Sequence, residues 1–149
     1  MKIDWDSFDR GVFLVNVLGI IYDSKTKKII IGLRKKDPYV RTLSWTLPGG
    51  RPGYSKDFEN YLRLEVKKKT NLKIKINKVI FAKTYPKKRK FLSIYYLAEP
   101  LNAGKEKAGE KFTELKWVRI SEVNKYFAPS FTSLHPTLMD FLNQLGDKK

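Results

Sequence analysis

Runs of apolar residues and alternating apolar and polar positions cover most of the chain, and they predict six strands and two helices. The strands are predicted at 12–22, 28–34, 43–47, 73–85, 91–98 and 112–119, and the helices at 55–71 and 134–145. Two pairs of strands are separated by short polar loops, so we expect each pair to form a hairpin. This order of elements favours an α/β (α+β) fold, in which a mixed, largely antiparallel sheet is covered by helices on both faces. A doubly wound parallel sheet does not fit this order.

The first predicted helix follows a Pro-Gly-Gly turn at 48–50 and has recognisable ends. Ser55 is its predicted N-cap, because the hydroxyl can accept a hydrogen bond from a free backbone N–H. Asp57 lies in the first turn, where the helix dipole favours a carboxylate. Asn71 tolerates the left-handed conformation that commonly follows a helix, and Gly146 is expected to end the C-terminal helix.

Glu65 interrupts the apolar face of this first helix. At 100° per residue, Phe58, Leu62 and Leu72 lie close to it around the helix, so the carboxylate is predicted to point inward with them. A buried carboxylate needs a partner. Lys69 and the backbone N–H groups of the Gly49–Gly50 turn are both candidates for that partner.

The chain is strongly basic, with 31 Lys and Arg residues against 15 Asp and Glu residues and a net charge of +16. Such an excess attracts polyanions, among which nucleic acid is the first candidate. The alternative is a compositional bias without a role in binding. Four consecutive cations at 87–90 leave the same choice open, because they suit either a solvated turn that protects a sheet edge or a phosphate contact.

The composition also excludes several kinds of chemistry. The chain has no cysteine, so disulfides, thiolate catalysis and zinc sites of the Cys type are ruled out. No apolar stretch approaches the roughly 20 residues of a membrane span. We therefore expect a single cytoplasmic domain over residues 1–149 that does not associate with membranes.

From Gly50 to Leu72, the strand, glycine turn and capped helix resemble the signature of the Nudix (MutT-like) family. That signature is Gly, five residues, Glu, seven residues, Arg-Glu, an apolar residue, one more, Glu-Glu, one more, Gly and an apolar residue. Its spacing fits the chain without a gap, and the resemblance covers nearly the whole length. It implies a Nudix-like α/β/α sandwich and hydrolysis of diphosphates with Mg²⁺ or Mn²⁺ held by the helix carboxylates.

The charged positions of the signature are mostly replaced, so the Nudix box is degenerate. Glu65 keeps the family carboxylate next to the Arg position. The other family positions, Glu, Arg, Glu-Glu and Gly, carry Lys56, Leu64, Lys68, Lys69 and Asn71. Hard divalent cations need several oxygen ligands, which ammonium groups cannot provide. Lysines can instead hold phosphate oxygens as point charges, although Lys68 and Lys69 are equally consistent with an ordinary solvated helix end.

The resulting site prediction has two parts. Glu65 is the candidate catalytic residue. The candidate ligand- or phosphate-binding residues are Arg34, Trp45, Gly49, Gly50, Arg51, Lys56, Lys68 and Lys69, among which Trp45 could stack on a base.

Three functions follow from these residues. The first is a degenerate Nudix protein that binds a nucleotide, another phosphorylated ligand or RNA, needs no cofactor, and has little or no metal-dependent hydrolysis. The second is an active hydrolase of a nucleoside diphosphate linked to another group, with Mg²⁺ or Mn²⁺ held by Glu65, Glu110 and Glu114. The third is a structural or protein-interaction domain. The resemblance also allows a homodimer.

Overall fold

A mixed sheet of seven strands forms the centre of the part of the chain that the structure describes. The structure, a computed structural model, describes residues 2, 4, 7, 10–34, 45–85, 90–127 and 134–147. The strands are β1 (Leu14–Asp23), β2 (Lys28–Arg34), β3 (Trp45–Thr46), β4 (Gly49–Gly50), β5 (Ile74–Thr84), β6 (Phe91–Pro100) and β7 (Phe112–Arg119). Residues 43–44 of the predicted third strand and 86–89 of the predicted basic loop lie outside the described residues.

The strand pairing confirms both predicted hairpins and the mixed character of the sheet. The strand order is β3-β2-β1-β6-β5, with β4 paired to β1 and β7 paired to β2. β1 pairs antiparallel with β2, and β5 pairs antiparallel with β6. The central strands β1 and β6 are parallel, with Val17 opposite Ile94. The sheet is therefore mixed and largely antiparallel.

Helices cover both faces of the sheet, as predicted. The helices are α1 (Phe58–Thr70), α2 (Val123–Tyr126), which follows a 3₁₀ turn, and α3 (Pro136–Asp147). Neighbouring strand residues point to opposite faces, so Ile21 packs with Leu62 of α1, whereas Ile20 packs with Leu138 of α3. We call these two faces of the sheet the α1 face and the α3 face. None of the described helices combines the length and apolar character needed to cross a bilayer.

Two predicted helix ends are wrong and one is confirmed. The N-cap of α1 is Asp57, whose Oδ1 accepts a hydrogen bond from the Asn60 N–H at 2.7 Å, and Ser55 is exposed two residues earlier. The carboxylate serves there both as hydrogen-bond acceptor and as a charge that the helix dipole favours. Asn71 ends α1 in the left-handed conformation, with φ of 63°, as predicted. Gly146 does not end α3, since the helix continues to Asp147.

Phe112 of β7 packs directly over Gly32 of β2. A Cβ atom placed on Gly32 would lie 2.3 Å from two carbons of the Phe112 ring. Both residues are buried. Gly32 is therefore needed for the close packing of β7 on β2, which also fixes where the chain enters β7.

We predict that Gly32→Ala lowers the free energy of unfolding by about 1–3 kcal/mol, because the ring must move out of a packed position. Gly19→Ala is the matched control, since a Cβ on this buried glycine of the adjacent strand would meet its nearest atoms at 3.7 Å, an ordinary contact. Urea denaturation of both variants measures the difference. Equal losses of stability would contradict the packing argument.

Candidate functional site

The Gly49–Gly50 turn is held against β1 by backbone contacts. Gly49 and Gly50 lie opposite Leu18 and Val17, and the Gly19 N–H donates to the Pro48 carbonyl at 2.8 Å. A Cβ atom on Gly49 would lie 2.0 Å from the Val17 carbonyl oxygen. No other residue fits there without moving the backbone, so glycine fixes the position of this turn.

α1 lies directly against the turn through Tyr61 and Glu65. A Cβ atom on Gly50 would lie 2.5 Å from the Tyr61 hydroxyl oxygen and 3.7 Å from Glu65 Oε2. The Glu65 side chain is 15% exposed. The carboxylate therefore points inward beside the glycine turn, in agreement with its predicted place on the helix.

Lys69 is the inward partner of Glu65. Its Nζ lies 3.4 Å from Glu65 Oε2 and donates a hydrogen bond to the Gly49 carbonyl oxygen, and its side chain is 16% exposed. Lys68 Nζ lies 3.8 Å from Glu65 Oε1, but 45% of this side chain is exposed. The two lysines thus differ, since Lys69 joins the helix to the turn and Lys68 faces solvent.

The electrostatics of the site reflect burial and an excess of cations. Burial lowers the pKa of Lys69, the Glu65 carboxylate opposes that shift, and the charges of Arg34 and Lys111 lower it further. Burial, with a smaller effect of the Glu65 charge, raises the pKa of Tyr61 to about 12. Lys69 therefore lies within reach of two further cations, one from β2 and one from the residue before β7.

The loop between β6 and β7 brings Lys111 to this place. The N–H groups of Lys107 and Gly109 donate to the carbonyls of Thr70 and Lys69 at 2.8 Å and 3.0 Å. These bonds satisfy carbonyl groups at the end of α1 that have no partner within the helix. Sequence reasoning missed Lys111, because nothing in the sequence indicates that this loop docks on α1.

The described residues do not form a carboxylate site for a divalent cation. Glu110 and Glu114 are both exposed, and Glu106, the third acid of the region, accepts a hydrogen bond from Trp117 Nε1 at 2.9 Å. In this part of the chain no group of three or more His, Cys, Asp or Glu residues is placed to hold a metal ion. Glu65, Glu110 and Glu114 are therefore not assembled as a relocated Mg²⁺ or Mn²⁺ site.

Of three other predicted ligand-binding residues, one is exposed and two contact other parts of the fold. Lys56 is exposed in the segment that leads into α1. The Arg51 Nε donates to Asn16 Oδ1 at 3.2 Å, and its guanidinium lies over the Phe91 ring. Trp45 packs on the α3 face, where its ring meets that of Tyr126 at a centroid distance of 5.7 Å.

The remaining candidates are close together. The Gly49 carbonyl accepts a hydrogen bond from Lys69, and Gly50 lies next to Tyr61 and Glu65 of α1. Lys68 forms an ion pair with Glu65. The positive charge of Arg34 lowers the pKa of Lys69. Together with Lys69 itself, these are five of the eight predicted residues, and the structure places them near one another. We call Arg34, Lys68, Lys69 and Lys111 the cation cluster.

A mixed sheet between helices, with a glycine turn packed on a capped helix, is the arrangement that the family resemblance implied. The model of the NUDIX domain family matches residues 12–138. This is most of the chain, and the protein therefore belongs to the NUDIX family.

Solved structures give the same result for the fold. A NUDIX hydrolase from Nitrosomonas europaea is 18% identical, with a TM-score of 0.71 over 91% of this chain and 73% of the other. A MutT protein from Methanosarcina mazei Go1 is 16% identical, with a TM-score of 0.67 over 95% and 99% of the two chains. A UDP-X diphosphatase is also 16% identical, with a TM-score of 0.64 over 95% of this chain and 66% of the other. No curated protein matches the chain by sequence.

We predict that Glu65→Gln lowers the free energy of unfolding by about 1–2 kcal/mol, because it removes the carboxylate that offsets the charge of partly buried Lys69. Glu59→Gln, an exposed change on the same helix, is the control and should cost about 0.5 kcal/mol or less. Urea denaturation at low salt and at 0.5 M salt provides the measurement, and most of the Glu65 effect should persist at high salt, because partly buried pairs are screened much less than exposed ones. Equal effects of the two variants would contradict the role given to Glu65.

Proposed function

We propose that this NUDIX protein binds a nucleoside diphosphate or a related nucleotide through its phosphate groups, without a metal ion and with little or no metal-dependent hydrolysis. The observation that carries the proposal is the position of Lys69. Its ammonium lies between the Gly49 carbonyl and the Glu65 carboxylate. These are oxygen atoms of the kind that a hard divalent cation would bind.

A divalent cation does not fit this arrangement. Mg²⁺ and Mn²⁺ need several oxygen ligands, and the described residues contain no group of three or more His, Cys, Asp or Glu side chains that could hold a metal ion. The fixed charges of Lys69 and Lys68 lie within 4 Å of the Glu65 oxygens and would repel a metal ion. The residues therefore support electrostatic binding of an anion, with no step that depends on a bound metal.

Phosphate groups suit the same charges. Lys68 presents an ammonium to solvent at the edge of the site, and ammonium groups bind phosphate oxygens as point charges. The net charge of +16 adds a long-range attraction for anions that is independent of the site. The attraction from the net charge also acts on RNA, which is a further candidate ligand.

The choice of a nucleoside diphosphate is supported by one of the solved structures that share the fold. It is named a UDP-X diphosphatase, so its name places a nucleoside diphosphate in its substrate. That protein shares the fold at 16% identity, and only the ligand class is carried over here as a proposal.

We predict that ADP binds the protein in 1 mM EDTA and that 5 mM Mg²⁺ does not tighten this binding, because the contacts are made by lysine and arginine and Mg²⁺ neutralises part of the diphosphate charge. Affinity should fall steeply between about 50 and 200 mM salt, as expected for ionic contacts with phosphate. Isothermal titration calorimetry measures both dependences. Lys68→Gln should weaken ADP binding about tenfold, corresponding to about 1.4 kcal/mol.

Lys67→Gln is the control for this experiment. Lys67 precedes Lys68 on α1, is exposed, and directs its Nζ to Asn71 Oδ1 at 2.9 Å. Its replacement should change ADP affinity less than twofold. Binding abolished by EDTA, or Mg²⁺-dependent phosphate release that is lost in Glu65→Gln, would overturn the proposal in favour of an active hydrolase.

A further inference from the structure

One end of the sheet gathers the ends of five strands. β1 ends at Asp23 and β2 begins at Lys28, while β5 begins at Ile74 and β6 ends at Pro100. Because β1 runs parallel to β6, and β2 and β5 run antiparallel to them, these four termini lie at the same end of the sheet. β7 also ends there, since Arg119 lies opposite Lys28.

The end of α1 and the loop between β6 and β7 are tied to this end of the sheet by hydrogen bonds. The Asn71 side chain donates from Nδ2 to the Lys105 carbonyl at 2.9 Å. The Lys73 N–H donates to Asn102 Oδ1 at 2.8 Å. The loop also donates two backbone hydrogen bonds to the last turn of α1. The backbone of the loop is therefore held beside the end of α1 and the start of β5.

Cations from all of these segments form one surface, which we call the basic end. It comprises Lys25, Lys27, Lys28, Lys67, Lys73, Lys75, Lys105, Lys107 and Arg119. All of them are exposed except Lys28, which is half-buried, and none belongs to the cation cluster. The segments that supply them, residues 23–28, 67–75, 99–107 and 119, contain three carboxylates. Nine cations against three carboxylates leave the basic end strongly positive.

The carboxylates do not neutralise the lysines of the loop and of the start of β5. Glu99 Oε1 lies 3.8 Å from the Nζ of exposed Lys75. The other two carboxylates of these segments accept hydrogen bonds from backbone or indole N–H groups. Among the described residues, Lys73, Lys105 and Lys107 form no ion pair with a carboxylate. Their ammonium groups can therefore bind an external anion.

A pair of like charges extends the basic end to the other side of the sheet. Lys28 lies directly opposite Arg119 in the pairing of β2 and β7. Like charges in this position destabilise a sheet, and a bound anion would offset their repulsion. From β7 to β5 the end of the sheet crosses five neighbouring strands. Strands lie about 4.8 Å apart, so the cations are spread over roughly 20 Å.

We propose that the basic end binds the phosphate backbone of a nucleic-acid duplex. A duplex carries one charge per about 1.7 Å of its axis, so a surface of this width meets several phosphates at once. Lysines bind phosphate oxygens as point charges and fix position without reading the sequence. This surface is separate from the proposed nucleotide site, and the inference does not depend on the proposed function.

The composition of the basic end favours a duplex over other polyanions. Its segments contain no aromatic residue on which the bases of a single strand could stack. Leu101 is the one large exposed hydrophobic residue in these segments. The cores of protein interfaces are rich in aromatic residues and depleted in lysine, so an acidic protein fits this surface less well.

The test measures binding of a labelled RNA duplex by fluorescence anisotropy in EDTA. The wild type should bind with a dissociation constant of about 1–100 μM at physiological salt. The triple variant Lys73→Gln/Lys105→Gln/Lys107→Gln should weaken binding at least about tenfold and reduce the salt slope of the affinity by about 3, one for each phosphate contact. Only backbone groups of these three lysines make hydrogen bonds within the described residues, so the variant should keep its fold. Circular dichroism checks this.

The control variant is Lys2→Gln/Arg10→Gln/Lys125→Gln. It removes the same number of exposed positive charges outside the basic end. It should weaken duplex binding no more than about threefold and leave the salt slope nearly unchanged. Equal effects of the two triple variants on affinity and slope would overturn the inference, because net charge alone would then explain the binding.

Further titrations identify the ligand and the surface. A DNA duplex of the same length shows which of the two nucleic acids binds more tightly, and either duplex should lose affinity in the first triple variant. Tighter binding of single-stranded RNA or of poly-glutamate than of both duplexes would overturn the inference. Displacement of the duplex by ADP would also overturn it, since the duplex would then occupy the nucleotide site. Failure of ADP to bind would refute only the proposed function.

Discussion

The contact of the Lys69 ammonium with the Gly49 carbonyl and the Glu65 carboxylate is the interaction on which the site depends. It joins α1 to the glycine turn, and the turn in turn is fixed on β1 by backbone pairing. Burial of this ammonium opposes its charge, as the lowered pKa of Lys69 shows. The contact is therefore stable only while Glu65 and the carbonyl both remain in place.

The proposed function separates the fold of this protein from the chemistry that the family signature implies. The NUDIX fold is kept, and position 49 of its glycine turn has no room for a Cβ atom. Its charge differs from what the family signature implies, since lysines stand where carboxylates would hold a metal. Under the proposed function, this difference in charge favours an anion over a metal ion at the site.

Much of the fold could be predicted from the sequence because it follows local patterns. Apolar runs and alternation predicted the strands and both hairpins, Asn71 was predicted from its tolerance of the left-handed conformation, and the inward Glu65 followed from helix geometry. The N-cap was placed at Ser55 instead of Asp57 because both residue types cap helices and the chain path between them is set by the packing of the turn. The positions of Trp45 and Lys111 depend on contacts between segments that are distant in the sequence, which local patterns do not reveal. Periodicity did not reveal that Trp45 packs on the α3 face or that Lys111 lies beside Arg34.

The central claim is that Lys68 and Lys69 occupy the place of a metal site whose geometry is otherwise intact. The most direct test is Mn²⁺ binding by the double variant K68E/K69E, followed by electron paramagnetic resonance of the free ion. The account predicts that the wild type and a control variant with the same charge change, K67E/K73E, do not bind Mn²⁺, whereas K68E/K69E binds it through the new carboxylates and Glu65. Mn²⁺ binding by the wild type, or no gain in a folded K68E/K69E variant, would contradict the account.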